Sequence, residues 1–486
     1  MTPSARSIVL HGHFYQPPRE DPRTGEVPRQ LSAEPFHDWN ERIEHECYRP
    51  ITQSRVLADD GSEAEVVNCL EWMSFNFGPT LLWWMERHAP ETYEAVLRAD
   101  AVSVDRLGHG NALAMPCHHP ILPLSSPRDR VTEIRWGIAD FRRRFRRDPE
   151  GMWLPETAVD AATLDAVAAE GIRYTVLAPH QVDPVPDDGL PVRYVTTGGH
   201  EIALFVYDGA LSHGVAFGSL LRDGVAWANL MLDEEAAPRL RSMATDGETF
   251  GHHHKFAEMA LARAIVEIRD HAEDGIRLEN FGSFLAREGA HAEADLVEPT
   301  AWSCAHGVGR WMSDCGCRAD VDGGTNQAWR APLRSALEWL ALRLHEIFEG
   351  EGDAIFEDPW TTRDAWGAVA GAMEQSLGDD FLRTHVAHAS DRARARALLE
   401  MERNVLRSFT SCAWFFDDVG GLEPRQVIRY AQRAIDLASE GASAATRARL
   451  DPIREGFSSR LSAAVSNDPD VGTAADIFTG LEVVTP

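Results

Sequence analysis

Up to Pro299 the chain alternates short apolar runs, polar breaks and stretches with helical spacing. Residues 7–10 read as a buried strand handing on to His11, Gly12 and His13, and a proline-rich loop over 16–28 follows. A helix is predicted over 38–49. Residues 66–77 alternate apolar and aromatic side chains and stop at Gly78-Pro79, after which helices are predicted over 80–86 and 90–98. The stretch 108–124 is rich in proline and histidine and reads as a lining loop, and 131–147 reads as a helix. Further strands are predicted at 152–154, 174–177, 202–207 and 240–245. They break off at Pro155-Glu156, at 178–181, at Asp208-Gly209 and at 246–254. Leu164, Val167 and Ala168 repeat at helical spacing until Gly171, and helices are predicted over 219–232 and 255–272. Strand, polar tip, helix, repeated, is the pattern of a parallel α/β barrel whose tips converge on one face.

Beyond Pro299 strands nearly vanish. Leu333, Leu337, Leu340 and Leu344 lie along one helical face, and helices are predicted over 363–375, 392–409, 424–439 and 445–466. The reading is an α/β barrel over 1–295 followed by an all-α domain over 296–486.

Composition narrows the class. A chain of 486 residues, 44% hydrophobic and 25% charged, is globular and long enough for two or three domains. A net charge of −29 argues against nucleic-acid or anionic-membrane partners, which call for clustered Lys and Arg. The run from Arg142 to Arg147 reads as a solvated helix face. No apolar run reaches the length of a signal peptide or membrane span, and seven scattered cysteines do not make a disulfide framework, so a cytoplasmic location is expected.

Taken singly, the polar tips are ambiguous. Pro155-Glu156 is ordinary helix-start grammar, and Asp246 suits an N-cap. His11 and His13, two apart on a strand, share a face, which is not core-and-surface alternation. Together, four tips resemble the ordered motifs of the family-57 glycoside hydrolases: His11-Gly12-His13 with Gln16-Pro17-Pro18; His119-Pro120-Ile121-Leu122-Pro123-Leu124; Trp153-Leu154-Pro155-Glu156; and Asp246-Gly247-Glu248-Thr249-Phe250-Gly251-His252. The resemblance covers residues 6 to 320 and continues into a helical domain. It implies a distorted (β/α)7-type barrel with a C-terminal helical domain contributing to the cleft. It also implies retaining chemistry on α-glucans, with Glu156 as nucleophile, Asp246 as acid/base and no cofactor. His11 and His13 would line the sugar subsite. Gln16, His119, Trp153, His180, Asp208, Glu248 and His252 are further substrate-binding candidates. Trp302 and Trp311, in a segment like the family's fifth motif, are the candidates for a tryptophan that would lean over the barrel mouth, and Trp414 lies in a stretch that resembles a late family segment facing the cleft. Two departures affect subsites: Phe14 and Tyr15 separate His13 from Gln16, and Asn111 stands where a glutamate is common.

Cys304, His306, Cys315 and Cys317 are four potential soft ligands, although C-x-H and C-x-C are not the usual zinc spacing; a metal site and reduced structural thiols both fit. A metal-dependent barrel hydrolase using His11 and His13, and a non-catalytic carbohydrate-binding protein, are the alternative functions. The expected partner is an oligo- or polysaccharide, and the sequence leaves hydrolysis, chain transfer and branching undivided.

Overall fold

The strand Arg6–Phe14 is buried along almost its whole length and has neighbours on both sides. That explains the unalternated run Ile8-Val9-Leu10, since a parallel strand covered on both faces has no solvent side to encode. The computed structural model describes residues 6–58, 60–233, 238–272, 275–320, 323–371 and 375–483. Packing divides the chain into two compact units: Met1–Gln16, Arg29–Met115 and Phe141–Glu298 form the first, and Pro17–Pro28, Pro116–Asp140 and Pro299–Pro486 the second.

In the first unit, parallel staves can be followed around a closed ring. Arg6–Phe14 pairs with Ser74–Phe77, which lies beside 111–113 through the Phe75/Ala112 bridge. Ala114 bridges to Met152, and Gly151 to Tyr174. Tyr174–Leu177 pairs with Glu201–Val206, and Asp208 N donates to Ser242 O at 2.8 Å, reaching Leu240–Asp246. That last stave returns to the first over a register from Ser7/Leu240 to His13/Asp246. These seven staves form the barrel expected.

Several boundaries differ from the sequence reading for physical reasons. The first strand runs on through Phe14 because its pairing with Ser74–Phe77 continues the ladder, so His11 and His13 lie within it. Val66 belongs to a separate antiparallel ribbon, Ser54–Leu57 with Glu63–Val67. Helix Ala257–Asp270 starts late because Phe256 is left-handed. The basic run is not simply a solvated face: Arg143 and Arg144 bond Glu86, Arg144 also bonds the Tyr93 hydroxyl at 2.7 Å, and Arg147 bonds both oxygens of Asp100.

The second unit is helical. Arg330–Gly352, Arg392–Arg407 and Leu422–Gly441 pack together, with Leu333, Leu337, Leu340 and Leu344 buried along one stripe. The predicted helix over 363–375 is instead Pro359–Ala370, and its end over 372–374 lies outside the described residues. The predicted 445–466 helix is divided into Ala444–Arg447 and Leu450–Leu461. A buried charge network ties this unit together: the Arg363 guanidinium donates to Asp129 (2.8 Å), Glu402 (2.7 Å) and the Thr132 hydroxyl (2.7 Å), and His345 bridges the same two carboxylates. Among the described residues no helix is long and apolar enough to cross a membrane.

Candidate active site

The stave at 151–154 ends in a tight turn, Pro155–Thr157, in which Glu156 (φ 58°) and Thr157 (φ 47°) are both left-handed. L-residues with a β-carbon adopt that region at a cost of about 1 kcal/mol or more each. Such strain persists only where surrounding structure imposes it, and it concentrates at functional sites. The helix that follows begins only at Ala161, capped by Asp160, so the turn at Glu156 is not a helix start. The half-buried carboxylate of Glu156 stands where this bend aims it, close enough to Asp246 to act on that residue's charge.

Asp246 ends the stave Leu240–Asp246, and its side chain makes no capping bond, so the N-cap reading does not hold. It is exposed to solvent, although protein surrounds its carboxyl closely enough to disfavour its charge. That crowding pushes its pKa well above the ordinary carboxylate range, and the like charges of Glu248 and then Glu156 push in the same direction. Two carboxyls at the ends of separate staves, near enough for one charge to act on the other and one of them pushed toward its protonated form, is the arrangement acid/base chemistry needs.

His11 and His13 are buried, as is Trp153, whose ring lies nearly parallel to both, at 4.7 Å from His11 and 5.3 Å from His13. Asn76, on the neighbouring stave, joins the two imidazoles. Its amide nitrogen donates to His13 Nδ1 at 2.8 Å, and its oxygen accepts from His11 Nε2 at 3.2 Å. This pairing fixes the tautomers, with the proton on Nε2 of each ring. Burial holds both neutral, His11 down to about 3 with help from His13, and His13 down to about 4.

Glu248 is buried one turn beyond Asp246. It accepts from the Tyr48 hydroxyl, which in turn accepts from Gln16 Nε2 at 3.4 Å. Burial raises the Glu248 carboxyl, against the lowering effect of the Tyr48 bond. His252 bonds Glu46 at 2.5 Å. Gly247, between the two acids, has no room for a side chain: a β-carbon there would lie 2.1 Å from the Phe14 ring. Tyr207 is near enough to Asp246 for that charge to raise its hydroxyl further, after burial.

The first unit thus gathers Glu156, Asp246, Glu248, His11, His13 and Trp153 into adjoining positions, with Gln16 and His252 reaching the same turn through Tyr48 and Glu46. Asn76, Tyr48 and Tyr207 had no local signal in the sequence; only strand register and long-range packing bring them here. Asp208 is exposed and spends one oxygen capping Leu211 N (2.9 Å), and His180 is exposed. His119 belongs to the second unit, where it is buried and its Nδ1 lies 2.6 Å from the Ser411 hydroxyl. Trp302, Trp311 and Trp414 are in that unit too. Trp311 and Trp414 are fully buried and Trp302 partly so. Trp153, Trp311 and Trp414 therefore present no open ring face to a sugar, because protein covers both sides. Among the described residues, the one group placed to hold a metal is Cys304, His306, Cys315 and Cys317. His11 and His13, committed to Asn76, form no ligand set, so the metal-dependent reading is not favoured.

The chain is similar in sequence and in fold to several known proteins. Residues 325–486 match a domain of unknown function (DUF3536). An alpha-amylase 1 from Dictyoglomus thermophilum is 23% identical over 183 residues, 37% of this chain and 26% of that protein. A 4-alpha-glucanotransferase from Thermococcus litoralis is 23% identical over 214 residues, 43% of this chain and 30% of that one, so less than a third of either relative is spanned. In three dimensions the chain is similar to an exo-type maltose-forming amylase from Pyrococcus sp. ST04, with a TM-score of 0.72, 15% identity, and coverage of 94% of this chain and 83% of that one. It is also similar to a family-57 branching enzyme from Pyrococcus horikoshii, with a TM-score of 0.57, 13% identity, and coverage of 93% and 94%. The model of glycosyl hydrolase family 57 matches residues 10–282, more than half of the chain, and the chain belongs to that family.

Proposed function

We propose that the protein is a retaining enzyme acting on α-1,4-linked glucans, with Glu156 as nucleophile and Asp246 as acid/base. The observation that carries this is the pair itself: a strained stave-end glutamate near an aspartate whose carboxyl is pushed toward its protonated form by crowding and by two neighbouring carboxylates. The substrate class rests on the relatives, an alpha-amylase, a glucanotransferase, a maltose-forming amylase and a branching enzyme.

In the first step the Glu156 carboxylate attacks the anomeric carbon while the bond from that carbon to the leaving oxygen breaks. Asp246 gives its proton to that oxygen, leaving a glycosyl ester on Glu156. The Asp246 carboxylate then takes a proton from water or from a sugar hydroxyl as that oxygen attacks the anomeric carbon and releases Glu156. Water gives hydrolysis, and a sugar hydroxyl gives chain transfer or branching. Every proton is handled by the chain's own groups, so the scheme uses no cofactor. The neutral imidazole of His13, held by Asn76, is suited to hydrogen-bond a sugar hydroxyl without adding charge beside the nucleophile, and the fully buried His11 supports it through the same amide.

The test is product analysis on maltooligosaccharides and amylose with the parent chain, Glu156→Gln and Asp246→Asn. Both variants are expected to lose at least about a hundredfold in turnover while keeping the parent's circular dichroism. An aryl glycoside with a good leaving group should still trap the ester in Asp246→Asn but not in Glu156→Gln. Full activity in either variant rules out the assignment.

A further inference from the structure

Among the described residues of the segment 299–329, regular structure is little more than the short turn Gly309–Trp311, yet part of the segment is buried: Trp311 is fully buried, and Arg334 donates to its carbonyl. A loop of this kind makes few backbone hydrogen bonds of its own and needs another tie. The tie is visible in the side chains. Cys304 Sγ lies 4.0 Å from Cys315 Sγ and 3.8 Å from Cys317 Sγ, and Cys317 Sγ lies 3.4 Å from His306 Nδ1. All four potential ligand atoms lie within 4.8 Å of one another, and every cysteine is a free thiol.

These separations have a specific geometric meaning. Zinc bonds of about 2.3 Å to sulfur and about 2.0–2.1 Å to nitrogen give a tetrahedron with S···S edges near 3.8 Å and N···S edges near 3.6 Å. The separations of 4.0, 3.8 and 3.4 Å lie close to such edges, and sulfurs that far apart are not joined as a disulfide. The backbone is shaped to make them. Gly316 (φ 84°) sits between two of the cysteines in a conformation that other residues adopt only under strain. A β-carbon on Gly309 would come within 3.1 Å of the Cys315 β-carbon and 3.3 Å of the His306 β-carbon. The fully buried Arg330 donates to the Cys317 carbonyl at 2.8 Å, a fixed positive charge beside the thiols.

We propose that Cys304, His306, Cys315 and Cys317 bind one zinc ion, with His306 bound through Nδ1. Three thiolates on a divalent ion leave a net charge of −1, which the Arg330 guanidinium offsets. Four protein ligands fill the tetrahedron and leave no position for water or substrate, so the ion is structural and takes no part in glycosyl transfer. Its work is to pin the irregular segment ahead of helix Arg330–Gly352.

The experiment uses the full chain purified under reducing conditions with added zinc and then desalted. Elemental analysis should find one zinc per chain, and a strong chelator should lower the thermal midpoint. Replacing zinc by cobalt in the parent chain should give the intense visible bands of a tetrahedral site and a near-ultraviolet thiolate-to-cobalt charge-transfer band. Cys317→Ser and His306→Ala should each lose most of the zinc, and Cys317→Ser should weaken the charge-transfer band. The cobalt spectrum of the parent decides the question even if the variants fail to fold. No retained zinc, an octahedral cobalt spectrum without thiolate character, iron in place of zinc, or full zinc occupancy in Cys317→Ser would each overturn the assignment.

Discussion

Asn76→Ala removes the amide that holds His11 and His13 in register. In the parent, that amide makes bonds of 2.8 Å and 3.2 Å in a site closed to solvent, so the variant leaves the His13 Nδ1 acceptor and the His11 Nε2 donor without their shared partner. Each orphaned buried group costs about 1–3 kcal/mol, giving about 2–6 kcal/mol in all, a large part of a domain's usual stability. Urea unfolding followed by tryptophan fluorescence reads this directly, since the Trp153 ring lies against both imidazoles. Turnover on maltooligosaccharides should fall with it, even at temperatures where the variant is fully folded. A companion variant, Asn76→Asp, separates geometry from charge. The folded parent keeps both histidines neutral down to about 4 and about 3, whereas an unfolded chain protonates them from 6.5. The unfolded state therefore binds more protons in that window, and the pair's contribution to stability is lost as pH falls from 6.5 toward 4. The slope reaches roughly 3 kcal/mol per pH unit for two protons. A carboxylate at position 76 favours the protonated imidazoles and should flatten that acid loss. A cost below about 1 kcal/mol for Asn76→Ala, or the parent's acid sensitivity retained in Asn76→Asp, would refute the account.

Three further outcomes are expected. Glu248→Gln removes the larger of the two like charges acting on Asp246, so that carboxyl should lose its proton at lower pH; the alkaline limb of the kcat/KM profile should move down, and an unmoved limb would detach it from Asp246. Gly247→Ala drives a methyl into the Phe14 ring beside both acids and should cost about 1–3 kcal/mol, with a fall in kcat, measurable by thermal unfolding and steady-state kinetics. Arg363→Met strands the half-buried carboxylate of Asp129 and the fully buried one of Glu402 and should lower stability by about 3–5 kcal/mol, visible as a drop in urea midpoint, while a change under 1 kcal/mol would mean that His345 alone satisfies them.

The sequence carries those features that repeat locally. The strand, tip and helix order, the leucine stripe at 333, 337, 340 and 344, and the stave-end positions of Glu156 and Asp246 are all written in spacing. What it cannot carry is register. Asn76 looks like one polar residue in an aromatic strand until His11 pairs with Ser74 and His13 comes to lie beside it. Tyr48 and Glu46 sit in an unremarkable helical stretch and meet Glu248 and His252 across some 200 residues. The left-handed turn at Glu156 is invisible for another reason: non-glycine residues carry no composition mark for a conformation that tertiary packing imposes. The basic run misleads because its charges find partners, Glu86 and Asp100, far away in sequence.

The barrel is not equally stiff around its circumference. Asp246 ends a stave zipped to Arg6–Phe14 through seven consecutive registers, whereas the stave that leads to Glu156 is held by the isolated bridges Ala114/Met152 and Gly151/Tyr174, with backbone hydrogen bonds at Gly151, Met152 and Trp153. Fewer ladder bonds mean a lower free energy for local opening, so amide protons near Met152 should exchange sooner than those near Met243. On the proposed mechanism this mounts the proton donor on the more tightly paired side of the barrel and the nucleophile on the more loosely paired side. Substrate binding can thus draw Glu156 toward the anomeric carbon at small cost, while Asp246 stays as the fixed reference against which the sugar is aligned.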